Sequence, residues 1–317
     1  MAAIRLGTRG SALAVAQSTL VAHSIEQLGE TVELVTIATS GDEPRGAVAG
    51  GGAAAGDGPA TGSGAATAVD DKSRFVKEIE QALLAGEIDL AVHSAKDVPG
   101  ELADGLEIVG VPERADARDA LCGAGSLDAL PEGAVVGTAS LRRRAQLLAL
   151  RPDLDVRELR GNVDTRLRRL EEGRYDAIVL AAAGLVRLGR ADAGAPLADD
   201  ALVPAPGQGC LALEARTDDA AVRELAERLT DPAARAALEA ERALVTAIGE
   251  TCHTPVGAHA TADGHTLILR AFVGTSDGAT WIRDEIRGSG DDPRAVGDEA
   301  ASRLVAAGAP AILAAAG

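Results

Sequence analysis

Aromatic side chains are almost missing from this chain: Phe75, Phe272, Tyr175 and Trp281 make up about 1% of its 317 residues. Readers of single-stranded nucleic acid stack bases on aromatic platforms, and this chain has none to spare. A net charge of −17 also removes the electrostatic basis of a general nucleic-acid binder. Cysteine is scarce too. Cys122, Cys210 and Cys252 stand far apart, with no second cysteine at metal-ligand or redox spacing. Three unpaired thiols fit a reducing compartment rather than a disulfide framework. No stretch approaches the roughly 20 apolar residues of a membrane helix, and Met1 to Leu6 lack the apolar core of an export signal. The expectation is a cytoplasmic protein with no metal site and neither a membrane nor a nucleic-acid partner.

Apolar residues make up 46% of the chain, enough for real cores built from Leu, Val, Ile and Ala. The length suggests about two or three domains. The acidic total hides an arginine-rich stretch from Arg142 to Arg190. Arg168, Arg169 and Arg174 read as a solvated helix face. The others allow a cationic cleft in an acidic protein, which would concentrate an anionic ligand. Arginine, with its forked donors, suits carboxylate or phosphate.

Strand and helix signals alternate along most of the chain. Ile4–Leu6, Val32–Ala38, Asp89–Val92, Ala134–Gly137, Val156–Leu159 and Ala177–Leu180 read as strands. Helices are expected from Ala12 to Leu28, from Phe75 to a stop at Gly86, and after Leu141, Val163 and Ala183. This rhythm implies an α/β fold with mainly parallel pairing. Two proline-marked breaks, Val111-Pro112-Glu113 and Pro204 to Gly209, read as a double crossover between two α/β lobes. The first domain is then 1–112 plus 210–231, and the second is 113–209. From 232 to 317 the pattern changes to a small α+β third domain: a helix from Ala233 to Ile248, a loop with Cys252, strands at Thr266–Val273 and Thr280–Arg283, and a helix at Arg294–Ala306. The segment 43–71, mostly Gly, Ala and small polar residues, reads as a flexible loop.

Three arginine-rich turns fall where a strand ends and a helix begins: Gly7-Thr8-Arg9-Gly10-Ser11, Thr138 to Arg144, and Arg160 to Arg166. Free N–H groups and the helix dipole already favour an anion there. Several such turns in one crevice imply a ligand with many negative groups. His93-Ser94-Ala95-Lys96-Asp97 sets an acid beside a base at another strand end. Asp97 is either a turn former before Val98-Pro99 or a carboxylate kept ionised by nearby cations, facing positive charge on a substrate. His93 reads as a structural hydrogen-bonding residue. Gln208 belongs either to a hinge or to the site. Cys122 and Cys210 read as small buried hydrophobes, whereas Cys252 is either structural or a covalent tether. A non-catalytic anion receptor and a phosphate-ester enzyme are the rival readings. The missing export signal weighs against the first. The lack of a Gly-x-x-x-x-Gly-Lys-Ser/Thr loop or an acidic metal cluster weighs against the second.

Taken in order, several runs resemble the porphobilinogen deaminase family: Arg5 to Arg9 with Ser11 to Ala14, Phe75-Val76-Lys77-Glu78, Ala91 to Pro99, Ser140 to Arg143, Leu159 to Val163, Ala183 to Leu185 with Arg187 to Gly189, and Gly207-Gln208-Gly209. The resemblance spans nearly the whole chain. It implies two lobes similar to periplasmic binding proteins plus a small α+β domain. It also implies a monomeric transferase of tetrapyrrole biosynthesis that joins four porphobilinogen molecules head to tail and releases hydroxymethylbilane. The family's dipyrromethane cofactor would hang from Cys252 by a thioether. Asp97 and Lys96 would be catalytic. Lys96, Ser140, Arg142, Arg143, Arg160, Gly161, Asn162, Arg166 and Gln208 would hold the cofactor. Arg9, Ser11, Lys72, Phe75, Arg160, Arg166 and Arg187 would bind substrate. The cysteine loop reads Gly249-Glu250-Thr251-Cys252 where the family commonly has Gly-Gly-Cys.

Overall fold

A computed structural model describes residues 3–38, 71–249 and 254–316 of the chain. Cys252, and the Gly/Ala-rich segment up to residue 70, lie outside the described residues; Asp71, read as the end of that loop, already opens a helix.

The first part runs β1 (Ile4–Arg9), α1 (Ala12–Gln27), β2 (Val32–Ile37), α2 (Asp71–Leu84), β3 (Leu90–Ser94), a 3-10 turn at Ala95–Asp97, and β4 (Leu106–Gly110). The chain then passes into a second sheet. Here it forms β5 (Asp119–Cys122), β6 (Val135–Gly137), α3 (Leu141–Leu150), β7 (Asp155–Arg157), α4 (Val163–Glu171), β8 (Ala177–Ala181), α5 (Ala182–Arg187) and β9 (Ala195–Pro196). It returns as β10 (Leu211–Arg216) and α6 (Ala220–Arg228). The remainder is α7 (Pro232–Ala247), β11 (Val256–Asp263), β12 (Thr266–Gly274), β13 (Trp281–Ser289), α8 (Pro293–Ala306) and α9 (Ala309–Ala316).

The two larger sheets repeat one plan, β2-β1-β3-β10-β4 and β7-β6-β8-β5-β9. In each, the first local strand pairs in parallel with two neighbours: β1 with β2 and β3, β6 with β7 and β8. The strand arriving from the other sheet runs antiparallel to both of its neighbours: β10 between β3 and β4, β5 between β8 and β9. Pairing is therefore evenly mixed rather than mainly parallel. β5 and β10 come directly off the crossovers, so they enter each sheet against the local direction. The α/β class itself holds.

The third sheet, β11-β12-β13, is an antiparallel meander covered by α7 and α8. β13 is longer than the sequence suggests because Arg283, Asp284, Glu285 and Arg287 break up its apolar signal, as suits an edge strand. The two helices cross closely because Gly297 carries no side chain: a Cβ there would sit 2.3 Å from the Ala240 carbonyl oxygen.

The cores are aliphatic, as the composition requires. Leu6, Ile25, Leu90 and Leu213 fill the first sheet, Leu121, Val136, Leu147 and Val179 the second, and Leu244, Leu269 and Leu304 the third. Phe272 is fully buried. Among the described residues no helix is long and apolar enough to cross a membrane.

Candidate functional site

The parallel strands bring their carboxyl ends out side by side, and the arginine-rich turns sit there. β1 leads to Ser11, which caps α1 by accepting a hydrogen bond from the Ala14 N–H at 3.3 Å. β6 leads to Ser140, which caps α3 through the Arg143 N–H at 3.4 Å. β7 leads to Asn162, which caps α4 through the Thr165 N–H at 2.9 Å. The strand-to-helix reading holds for all three turns. Each cap fixes a helix start whose partial positive charge faces the strand ends. Gly161 has φ +119, and a Cβ there would press on Thr165 at 3.0 Å, so this turn needs glycine.

Arg142 and Arg143, on the first turn of α3, point inward. They are 4% and 6% exposed and share a fully buried partner, Asp119 on β5. Arg142 Nη1 lies 2.8 Å from Asp119 Oδ2, and Arg143 Nη2 lies 2.7 Å from Oδ1. Arg143 Nε also donates to Asp119, and its Nη1 to the Val179 carbonyl. Gln208 Nε2 completes the cluster, donating to Asp119 Oδ1 at 2.8 Å and to the Ala117 carbonyl at 2.6 Å. Burial alone would raise the Asp119 carboxyl, but the two arginines outweigh it and hold it far below the usual carboxylate range.

Nothing in the local sequence marks Asp119, because its partners lie about one helix or more away along the chain. Asp119→Asn should cost on the order of 3–5 kcal/mol at neutral pH, since two buried cations lose their counter-charge. A carboxyl with a depressed folded pKa contributes fully above the unfolded value and loses that contribution as pH falls through the folded one. Denaturant unfolding should therefore show a constant wild-type advantage from neutral pH down to about pH 5, shrinking below about pH 4. An advantage that persists unchanged in acid would contradict this assignment.

Arg166, on α4, links the two lobes electrostatically. Burial first, then the like charges of Arg143 and Arg169, push its pKa down to about 10, while Asp97 acts in the opposite sense. Arg166 and Asp97, predicted for one site from distant motifs, are thus near enough to feel each other. Arg169, expected on a solvated face, is half-buried and donates to the Arg160 carbonyl. Arg168 and Arg174 are exposed as expected. Arg160 is exposed beside Glu158, and Arg166 Nε holds the Gly161 carbonyl at 2.7 Å. Arg187 is half-buried; its Nη2 donates to the Gly209 carbonyl at 2.7 Å, and burial lowers its pKa. Arg9 ends β1, opposite Ile37 of β2. The side chains of Lys72 and Phe75, on α2, and the whole of Cys252 lie outside the described residues.

Lys96 and Asp97 are half-buried on that 3-10 turn. The returning crossover presses against it: Gly207 has φ +71, and a Cβ there would stand 2.9 Å from Ala95 C and Lys96 N. The sequence also hid Glu241, which is fully buried on α7. Its Oε1 accepts from Arg114 at 2.6 Å and from the Ala260 N–H at 2.7 Å, while Oε2 accepts from the Gly207 N–H at 2.6 Å. One carboxylate thus ties both crossovers to the third sheet. His93, expected as a structural hydrogen-bonding residue, is buried with its Nε2 2.8 Å from Oε2 of buried Glu214. Cys122 and Cys210 are buried thiols pushed up by burial to about 11 and about 12, which leaves them inert.

A dipyrromethane presents carboxylates and pyrrole N–H groups. The arginine-lined strand ends supply cations for the former. For the latter, Gln208 Oε1 is buried with no hydrogen-bond partner among the described residues, an acceptor of the right kind. The residues present fit the group.

Residues 4–224 match the family model described as porphobilinogen deaminase, dipyromethane cofactor binding domain, and residues 236–306 match that of the porphobilinogen deaminase C-terminal domain. Relatives named porphobilinogen deaminase align end to end. The protein of Roseiflexus sp. (strain RS-1) is 48% identical over 314 residues, 98% of each chain. That of Rubrobacter xylanophilus is 46% identical over 310 residues, 97% of this chain and 95% of its own. That of Deinococcus radiodurans is 44% identical over 319 residues, 99% of this chain and 98% of its own. A solved nutrient-binding protein from Burkholderia cenocepacia aligns with 72% of this chain and 92% of its own, at 13% identity and a TM-score of 0.40. With both family models matched and close to half of all residues identical along its length, the chain belongs to the porphobilinogen deaminase family.

Proposed function

We propose that this protein is a hydroxymethylbilane synthase: it joins four porphobilinogen molecules head to tail, expels one ammonia from each, and releases the linear tetrapyrrole when water cleaves it from the primer. The observation that carries the reading is the set of arginine-rich turns, each capped at a helix start, at the carboxyl ends of β1, β6 and β7, in a chain that matches the dipyrromethane-binding family model.

Bound through a thioether to Cys252, the dipyrromethane would supply the nucleophilic pyrrole carbon and keep the product attached while it grows. Asp97 faces the reacting ring. As the aminomethyl C–N bond of porphobilinogen breaks and ammonia leaves, positive charge develops on the pyrrole nitrogen, and the carboxylate stabilises it. Asp97 would also take up the proton that the nucleophilic pyrrole α-carbon has to lose when its ring regains aromaticity. Lys96, one residue earlier, holds a carboxylate beside it. Ser140, Arg142, Arg143, Arg160, Gly161, Asn162, Arg166 and Gln208 form the cofactor wall; Arg9, Ser11, Arg187, Lys72 and Phe75, with Arg160 and Arg166, form the substrate side. Arginine stays charged at any working pH, so each added ring finds its acids neutralised.

The three domains are bounded at 1–112 with 210–231, 113–209, and 232–317, which accords with one sheet falling in each. The two larger lobes are of periplasmic-binding-protein type. The enzyme works as a cytoplasmic monomer with porphobilinogen as its small-molecule partner; its strong acidity supports the exclusion of nucleic acid. Incubation with porphobilinogen tests the function. One ammonia should appear per porphobilinogen consumed, with a linear tetrapyrrole as product. Consumption without ammonia release would refute the reading.

A further inference from the structure

Arg242 stands on α7 (Pro232–Ala247), which precedes Gly249 and Cys252 in the sequence. Its side chain reaches out of the third domain to the first. Nη2 donates to the Pro99 carbonyl at 2.7 Å and the Gly100 carbonyl at 3.0 Å, and Nη1 to the Val98 carbonyl at 3.4 Å. These three residues follow Asp97 directly. We propose that Arg242 is a positioning residue for pyrrole transfer, fixing the helix that leads to the cofactor loop against the turn that carries Asp97. The proposal rests on the roles given above to Asp97 and Cys252.

Two kinds of contact join α7 to the turn, and they do different things. Ala234 and Leu238 pack with Ala95 and Val98 in one apolar cluster. Apolar packing holds the surfaces together but tolerates small slips. The guanidinium sets the alignment, because its fork meets three carbonyls in fixed directions. Lys96, Arg242, Val245 and Thr246 line one small cleft at this junction, and a Cβ placed on Gly100 would stand 3.8 Å from Thr246 Oγ1. On its other side the turn is backed by Gly207. Arg242 is therefore a polar clamp between the turn and α7, the helix that precedes Cys252 in the sequence. Burial lowers its pKa, as suits a cation held out of water for its hydrogen bonds. A shift of the turn against α7 moves the carboxylate relative to the tethered ring without touching either.

The test compares Arg242→Met and Arg242→Lys in the full chain. Arg242→Met should fold, keep the dipyrromethane mass on the protein, and bind porphobilinogen with KM within about threefold of wild type, while kcat falls by about 100-fold, the scale of a misplacement near 1 Å. Arg242→Lys keeps the charge but not the fork and should regain about tenfold of that loss. If Arg242→Met does not fold, Arg242→Lys decides: about a tenfold fall in kcat at unchanged Tm supports positioning, and wild-type kcat overturns it. The proposal is also overturned if kcat of folded, primer-carrying Arg242→Met stays within about threefold of wild type. It fails equally if the variant alone loses the primer, for Arg242 would then act in cofactor assembly. A bare mass in the wild type would bring down the tether reading and this proposal with it, and the same spectrum tells the cases apart.

Discussion

Asp97→Asn is expected to cut porphobilinogen turnover by roughly 1,000-fold while the protein unfolds at nearly the wild-type temperature. The substitution keeps volume and shape and removes one charge. Asp97 is half-buried on a turn rather than in a core cluster as Asp119 is, so an amide of the same shape should leave the core packing intact. The chemistry depends on the charge. In the proposed mechanism the cation formed as ammonia leaves has Asp97 as its counter-charge, and an amide offers neither the charge nor a basic oxygen for the proton released later. The effect should appear in kcat with KM little changed, because the interaction strengthens only as the transition state forms. Asp97→Glu retains the charge at a shifted position and should recover part of the rate. Turnover of Asp97→Asn within about tenfold of wild type would remove Asp97 as the central carboxylate.

Cys252→Ser is expected to abolish product formation and the covalent adduct together. A serine hydroxyl stays protonated under conditions where a thiol ionises in part, so it cannot form the link by the same route. Neither other cysteine can substitute, because burial raises the Cys122 and Cys210 thiols to about 11 and about 12. Without the tether each addition reverts to a bimolecular encounter and loses an effective molarity of about 10⁵ M or more. Measurement of product by absorbance and of protein by intact mass should therefore show both losses. An active Cys252→Ser variant with an unmodified mass would contradict the tether.

Much of this was legible in the residues, and the parts that were not share a cause. Hydrophobic period and local stop signals reported α1, α7 and α8 nearly to their ends and the starts of α3 and α4, since these signals are local. The three arginine-rich turns were legible for the same reason: Ser11, Ser140 and Asn162 each announce a helix start. Strand direction was not. β5 and β10 carry the same apolar pattern whichever way they run, and only the crossovers decide it. Partners distant in sequence were equally hidden. Asp119 with Arg142, Arg143 and Gln208, and Glu241 with Arg114 and Gly207, join segments that no spacing rule connects. That is why Arg142 and Arg143 read as ligand-facing residues in the sequence yet in the fold also join Gln208 around Asp119 on β5. Arg242 escaped notice because its acceptors are backbone carbonyls, which leave no trace in side-chain identity.

The most direct measurement is the intact mass of the purified wild-type protein before and after brief exposure to porphobilinogen. The expected result is a starting mass above that of the bare chain by one dipyrromethane, followed by a ladder of species each heavier by one pyrrole unit. A starting mass equal to the bare chain, in a preparation that still releases the linear tetrapyrrole, would contradict a thiol-anchored primer among the arginine-rich turns.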